Sequence, residues 1–177
     1  VALGHEYMVL TDHSPRLTIA HGLSAERLAQ QLADVARLNE LLAPFRILTG
    51  IEVDILEDGT LDHGDAILSQ LDVVVASVHS KLRMGSKEMT ERMVRAVANP
   101  HVDILGHCTG RLIGKREPST FDPDYVFAAC AQFHTAVEIN CRPERLDPPR
   151  PLLQMAVEYG CYFAIDSDAH ATGQLEW

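Results

Sequence analysis

The segment VVVASVHS (residues 73–80) is an apolar run that ends at His79 and Ser80. Its apolar residues are consecutive instead of alternating with polar ones, which is typical of a strand buried on both faces. Strands of this kind occur in parallel sheets that are covered by helices. The segment therefore predicts an α/β fold.

The segments on either side of residues 73–80 repeat this pattern in alternation with helical periodicity. Further strands are predicted at residues 7–13, 46–54, 102–107, 136–140 and 162–168. Apolar residues at helical spacing or helix-capping residues predict helices at residues 24–43, 63–70, 86–99, 122–134 and 149–160. Alternating strands and helices indicate βαβ units, and both an open doubly wound sheet and a closed barrel fit them.

The bulk composition indicates one globular domain. The chain has 177 residues, of which 46% are hydrophobic, enough for a core. A net charge of −10 argues against broad binding of duplex nucleic acid. The four cysteines form no CxxC pair, so a zinc knuckle is not indicated and reduced thiols are expected. No membrane-length apolar run or signal peptide is evident, and a cytoplasmic location is expected.

Residues able to bind metals gather at the predicted strand ends. The six apolar runs end in TDH, GIEVD, SVHS, LGH, EIN and DSDAH, and five of them place histidine, aspartate or glutamate at or just beyond the strand end. In a parallel barrel the carboxyl ends of all strands meet on one face, where active sites lie. The candidate metal ligands are His13, Glu52, His79, His107, Asp168 and His170.

The chemistry of these candidates indicates a transition-metal centre. Imidazole nitrogens mixed with carboxylate oxygens suit zinc, manganese or iron. Asp168 and His170 are two residues apart, so on extended backbone they project to the same side. The adjacent Asp12 and His13 should diverge, which leaves His13 for the metal and Asp12 for a hydrogen-bonded supporting role or a helix cap. Asp166 is expected to be a supporting group.

In these motifs the chain resembles the polymerase and histidinol phosphatase (PHP) family. The matching stretches are YMVLTDHS, GIEVDIL, VVASVHS, DILGH, VEIN and DSDAH, in the order of the family and over nearly the whole chain. The stretches EVDILEDGTLD, GHCTGRL and INCRPERLD look most like the PHP domains attached to bacterial family X DNA polymerases. The resemblance implies a distorted (β/α)7 TIM-like barrel that holds three metal ions at its C-terminal face.

The resemblance also implies a role for each candidate ligand. Glu52 would bridge two metal ions, and His79 and His107 would complete the shell of the second ion. Asp168 would bind the first ion, and His13 with His170 would bind the third.

Basic residues near the strand ends are candidates for holding a substrate phosphate, a group that arginine binds well in bidentate fashion. They are Lys81, Arg111, Arg142 and Arg145.

The chain departs from the family pattern in two ways. The HxH pair of the first family strand is absent, and the sequence begins within what should be the first helix. We therefore expect a barrel lacking its first strand, fewer than three bound metals, and an open parallel edge that could support self-association. The second departure is Cys108, where the family usually has proline, and which is expected to be packed core.

The leading functional hypothesis is a metal-dependent phosphoesterase. The polymerase-like motifs favour a nucleic-acid 3′ end or a nucleotide as substrate, and so a 3′-5′ exonuclease or a 3′-phosphatase. A phosphatase for a small ester such as histidinol phosphate is a second hypothesis. The motifs are also compatible with a catalytically incomplete, partner-binding domain, or with a different metal-dependent barrel such as an amidohydrolase or a sugar isomerase.

Overall fold

One parallel sheet organises the computed structural model, which describes residues 2–176. Its six strands lie side by side in chain order and curl into a half-barrel. Doubly wound sheets reverse their strand order at a switch point, so the sequential order identifies the barrel type instead. The strands are β1 (Tyr7–His13), β2 (Arg46–Asp54), β3 (Val73–Ser77), β4 (Ile104–Leu105), β5 (Ala136–Asn140) and β6 (Phe163–Asp166).

Helices connect the strands, as the sequence pattern predicts. Ser24 Oγ accepts a hydrogen bond from Arg27 N at 3.3 Å and caps the first helix, and Asp122 caps the fourth through Asp124 N at 3.1 Å. The helices are α1 (Ala25–Leu42), α2 (Asp65–Leu68), α3 (Ser86–Val97), α4 (Pro123–Phe133) and α5 (Arg150–Glu158), with short 3-10 turns at Thr18–Ala20 and Thr172–Gln174.

Three strands end earlier than the sequence predicts, and one of them is β6, which is predicted to reach residue 168 but ends at Asp166. The run at residues 73–80 is a strand only to Ser77, and the run at residues 102–107 pairs only at Ile104–Leu105. The backbone N–H of His79 donates to the Asp54 side chain at 3.1 Å, and that of His107 donates to the Glu138 side chain. Side-chain carboxylates thus accept the hydrogen bonds of backbone amides that would otherwise have extended the pairing of β3 and of β4.

The β2 strand separates the core from the inner face of the half-barrel. Ile51 and Val53 are fully buried in the hydrophobic core, which also contains Phe127 of α4. Because successive side chains in a strand point to opposite faces, Glu52 and Asp54 lie on the face opposite to Ile51 and Val53. This alternation directs carboxylates to the inner face.

The two outer strands of the sheet carry exposed apolar side chains. Tyr7 on β1 is 60% exposed and Ile165 on β6 is 72% exposed. The expected self-association through an open edge stays a prediction. Among the described residues, no helix combines the length and the apolar character that crossing a membrane requires.

Candidate metal centre

Three strands bring their C-terminal side chains to one point. His13 ends β1 and pairs in register with Glu52 of β2, and His79 follows β3. Ligand atoms of these three residues all lie within 4.8 Å of one another. His13 Nδ1 is 3.3 Å from Glu52 Oε2, and His79 Nε2 is 3.1 Å from Glu52 Oε1. The fourth member, His107, places Nε2 at 3.0 Å from Glu52 Oε1.

The buried ring nitrogens of this cluster fit a metal ion better than they fit hydrogen bonds. His13 Nδ1 and His79 Nε2 are buried and make no well-aligned hydrogen bond, although each lies close to a Glu52 oxygen. Buried polar atoms are normally paired, so such atoms call for a ligand. Nitrogen lone pairs and carboxylate oxygens around one point are the donor set of zinc, manganese or iron.

Glu52 remains a carboxylate at the centre of the histidines. Burial alone would raise its pKa, but the close contacts with the rings of His107 and His79 hold the pKa of Glu52 well below its usual range. An ionised, largely buried carboxylate is the group that can bridge cations.

A second carboxylate, Asp54, orients His79. Asp54 Oδ1 lies 3.2 Å from His79 Nδ1 and accepts the His79 backbone N–H at 3.1 Å. Burial opposes protonation of His79, but the bonds to Asp54 and Glu52 prevail and raise its pKa to about 9. With Nδ1 engaged by Asp54, Nε2 is the nitrogen directed at Glu52, which is the usual arrangement of a metal-binding histidine and its carboxylate partner.

The segment that contains Asp168 and His170 lies beside the histidine cluster. The His170 ring centroid is 5.8 Å from that of His13. Asp168 Oδ2 accepts hydrogen bonds from Asn140 Nδ2 at 3.1 Å and from Arg145 Nε at 3.0 Å. Asp168 and His170 therefore border the cluster, and their predicted roles as ligands stay predictions.

The four basic candidates fall into two groups. Arg145 contacts Asp168 directly, and Arg142 Nη1 lies 3.9 Å from Asp168 Oδ2 and 3.4 Å from His170 Nδ1. Arg111 instead donates to the backbone carbonyls of Arg145 and Leu146 and so supports the arginine-bearing loop.

Lys81 is the remaining basic candidate. Its exposed side chain reaches Glu57 with an Nζ to Oε1 distance of 4.0 Å. As phosphate-binding groups, all four residues stay predictions, and the geometry favours Arg142 and Arg145.

The supporting residues and Cys108 have distinct positions. Asp12 turns away from His13, as expected, and its Oδ2 accepts a hydrogen bond from Gln31 Nε2 of α1 at 2.5 Å. Asp166 Oδ1 accepts the backbone N–H of Asp168 at 3.1 Å. Cys108 is 5% exposed within the core, and its burial raises the thiol pKa well above the usual value, which favours the packed-core interpretation.

Three polar residues of the site were not among the candidates predicted from sequence: Asp54, Glu138 and Asn140. Asp54 could have been found, because it lies two residues from Glu52 on the same face of β2. Glu138 is 5% exposed and accepts the His107 backbone N–H, and Asn140 Nδ2 is 3.3 Å from Glu138 Oε2. Burial, with Asp166 and Glu52 nearby, raises the Glu138 pKa well above its usual value. For Glu138, the signal available in the sequence was a carboxylate within an otherwise apolar strand.

Sequence comparisons find both a polymerase and phosphatases. No protein-family model matches the chain. It is 43% identical to the DNA polymerase/3′-5′ exonuclease PolX of Bacillus subtilis (strain 168) over 98% of this chain and 30% of that protein. It is 29% identical to a probable phosphatase of Thermoanaerobacter sp. (strain X514) over 96% of this chain and 68% of that protein. The chain thus spans under a third of the polymerase.

A comparison of folds agrees with the sequence matches. The crystal structure of histidinol phosphate phosphatase from Lactococcus lactis, complexed with zinc, L-histidinol and phosphate, superposes with a TM-score of 0.61. The match covers 99% of this chain and 80% of that chain at 16% identity, a level that speaks to the fold alone. Together with the polymerase and phosphatase matches, this likeness supports the resemblance of the chain to the polymerase and histidinol phosphatase (PHP) family.

Proposed function

We propose that this chain is a metal-dependent phosphoesterase and that residues 1–177 form a single domain with this activity. Val1 and Trp177 lie outside the described residues. The observation that carries the proposal is the cluster in which the Glu52 carboxylate lies within 3.3 Å of ring nitrogens from three strand-end histidines. The probable phosphatases that the chain resembles support the same function.

The metal centre would be held by Glu52 together with His13, His79 and His107. Divalent ions in such a centre lower the pKa of water and neutralise phosphate charge. Glu52 supplies a negative charge to the centre, because its pKa is well below the usual range. Asp54 holds the His79 ring so that Nε2 faces Glu52.

The arginines beside Asp168 are suited to orient a phosphate ester. Arg145 is anchored by Asp168 through Nε at 3.0 Å, while its Nη1 is buried without a hydrogen-bond partner. Buried donors without partners are costly, so a phosphate oxygen is an effective partner for this Nη1. Arg142, 3.9 Å from the same carboxylate, adds a second positive charge beside Asp168.

We propose a nucleic-acid 3′ end or a nucleotide as the substrate. Support comes from the 43% identity to a polymerase whose name includes a 3′-5′ exonuclease activity. The net charge of −10 disfavours extensive contact with a duplex. A short strand end that reaches the arginines avoids that repulsion.

A small phosphate monoester is the second candidate substrate. The probable phosphatases match most of this chain, and the solved structure with the similar fold contains L-histidinol and phosphate. The two candidates differ in how much of the substrate lies outside the metal centre.

Direct assays test the proposal and separate the two substrates. The manganese-loaded protein is incubated with a 3′-recessed duplex, a 3′-phosphorylated oligonucleotide and histidinol phosphate. We expect turnover of a nucleic-acid substrate and a loss of at least about 100-fold in kcat for Glu52→Gln, because cations contribute several kcal/mol of charge stabilisation. Glu57→Gln, which changes an exposed carboxylate in the following loop, is the matched control.

The results that contradict the proposal are specific. Turnover of histidinol phosphate alone would replace the substrate assignment. Metal binding without turnover of any of the three substrates would favour a partner-binding domain. Full activity of Glu52→Gln would remove the metal centre from the mechanism.

A further inference from the structure

A buried arginine lies beside the candidate metal centre. Arg92, on α3, is 1% exposed and is the largest fully buried side chain of the described residues. Arginine is almost never fully buried unless its charge is compensated. Burial lowers the Arg92 pKa, while the nearby Asp54 and Glu57 carboxylates oppose that shift. A buried guanidinium in this position calls for a structural or functional reason.

The guanidinium connects the chain segments that follow two strands. Arg92 Nη1 donates to the carbonyl oxygen of Ser80 at 2.9 Å, and Nη2 donates to the carbonyl oxygen of Ile55. Nη2 also lies 3.4 Å from Ser80 Oγ. Ile55 directly follows Asp54 at the end of β2, and Ser80 directly follows His79 after β3. The Arg92 guanidinium therefore binds the two residues that directly follow Asp54 and His79. The hydrogen bond between Asp54 and His79 is the one that orients the His79 ring.

We propose that Arg92 is a positioning residue for the candidate metal centre: by fixing the backbone after Asp54 and after His79, it holds the His79 ring with Nε2 directed at Glu52. The inference rests on the proposed metal centre and deepens it. Within the described part of the chain, Arg92 donates hydrogen bonds to Ser80, Ile55 and Met84, none of which is a candidate ligand or phosphate-binding residue, so it acts through Asp54 and His79.

The direction in which metal affinity changes when Arg92 is replaced separates a positioning role from a purely electrostatic one. A positive charge near a cation site repels the cation, so removing the charge should by itself tighten metal binding. Removing a positioning group should weaken binding, because changes to groups that orient metal ligands typically cost 10–100-fold in affinity. The two accounts thus predict opposite results for the same substitution.

The test measures Mn²⁺ affinity by titration calorimetry for the wild type, Arg92→Met and Arg92→Lys. We expect Arg92→Met to weaken Mn²⁺ binding by about tenfold or more. Arg92→Lys keeps the charge but lacks the planar fork that reaches both carbonyls, so we expect weaker binding here too. In the metal-free protein, the ¹⁵N chemical shifts of the His79 ring should change in both variants.

Two controls distinguish positioning from loss of stability. Met93→Ala creates a cavity at the neighbouring buried position of α3, which is 1% exposed, and keeps the Arg92 hydrogen bonds to both loops in place. Arg95→Met removes a cation from the exposed side of the same helix, where Arg95 donates to the Asp58 carbonyl at 3.1 Å. Both variants should bind Mn²⁺ as the wild type does and keep the His79 ring shifts.

The outcomes decide between the inference and its premise. Unchanged or tighter Mn²⁺ binding by Arg92→Met, or equal weakening by Met93→Ala, overturns the positioning role. If Arg92→Met does not fold, Arg92→Lys decides alone. Undiminished Mn²⁺ binding by Glu52→Gln overturns the metal centre itself, whatever the Arg92 variants do.

Discussion

At the scale of single residues, His79 shows how neighbouring groups adapt a side chain to its site. Burial disfavours the charged imidazolium, yet the bonds to Asp54 and Glu52 raise the His79 pKa to about 9. In the metal-free protein the ring is therefore protonated at neutral pH. Metal binding has to displace that proton, so metal affinity should rise with pH until the ring is neutral.

This raised pKa predicts a pH dependence of stability in the metal-free protein. A group whose pKa is higher in the folded state stabilises that state fully below its unfolded value, here 6.5, and the contribution is lost as pH rises through the folded value. We expect urea unfolding in chelator to show a free energy of unfolding that falls between pH 6.5 and about 9, by at most about 3 kcal/mol from this group.

A variant assigns this effect to His79. The buried Glu138, whose pKa is raised, also lowers the free energy of unfolding as pH rises above 4.5. His79→Gln should therefore show a shallower decline above pH 6.5 than the wild type. Parallel pH profiles for the two proteins would contradict the assignment.

At the scale of secondary structure, the short β4 strand depends on a close approach to β3. A Cβ atom at Gly106 would lie 2.2 Å from Ser77 Oγ and 2.8 Å from Val75 Cγ1. Ser77 is fully buried and cannot easily move. The glycine lets the strand end approach its neighbour directly before His107.

Gly106→Ala should destabilise the protein and displace His107. Overpacking of a filled core costs about 1–3 kcal/mol, and here the displaced residue is a candidate ligand. We expect a lower denaturation midpoint in urea and weaker Mn²⁺ binding.

Gly64→Ala is the matched control for this strand substitution. No atom lies within 4 Å of a Cβ at Gly64, the N-cap position of α2. Alanine is a poorer N-cap than glycine, so Gly64→Ala should cost under about 1 kcal/mol, less than the overpacking at Gly106, and should leave Mn²⁺ binding unchanged. A Gly106→Ala protein as stable as Gly64→Ala would show that the strands separate without cost.

At the scale of the whole molecule, the metal centre joins strands that are distant in the sequence. Its clustered ligand atoms come from β1, β2 and the segment after β3, and carboxylates are in excess around them, with Glu52, Asp54, Glu138 and Asp166 close together. Cations that bind only the folded state should stabilise the whole domain by mass action.

Mn²⁺ should therefore raise the thermal unfolding temperature. At a free concentration 100 times the Kd, one site contributes about 2.7 kcal/mol. Glu52→Gln should remove this shift, while Glu57→Gln should keep it. Elemental analysis of the loaded protein tests in parallel the expectation of fewer than three ions per chain. An equal thermal shift for Glu52→Gln would show that the ions bind elsewhere.

The sequence by itself determined the parallel α/β architecture, because buried strands and amphipathic helices carry local periodicity. It also placed His13, Glu52 and His79 at strand ends, since parallel strands end on one face of the sheet. The ends of β3 and β4 could not be predicted this way, because they depend on side-chain acceptors from other strands.

Only the tertiary structure decided which atoms meet. The bond between His79 and Asp54 spans 25 positions, that between His107 and Glu138 spans 31, and that between Arg92 and Ile55 spans 37. No local pattern encodes such contacts, because they arise when the sheet curls and α3 packs beside it. Residue types and periodicity therefore predict the fold and the candidate ligands, whereas orientation, protonation and support depend on packing between distant segments.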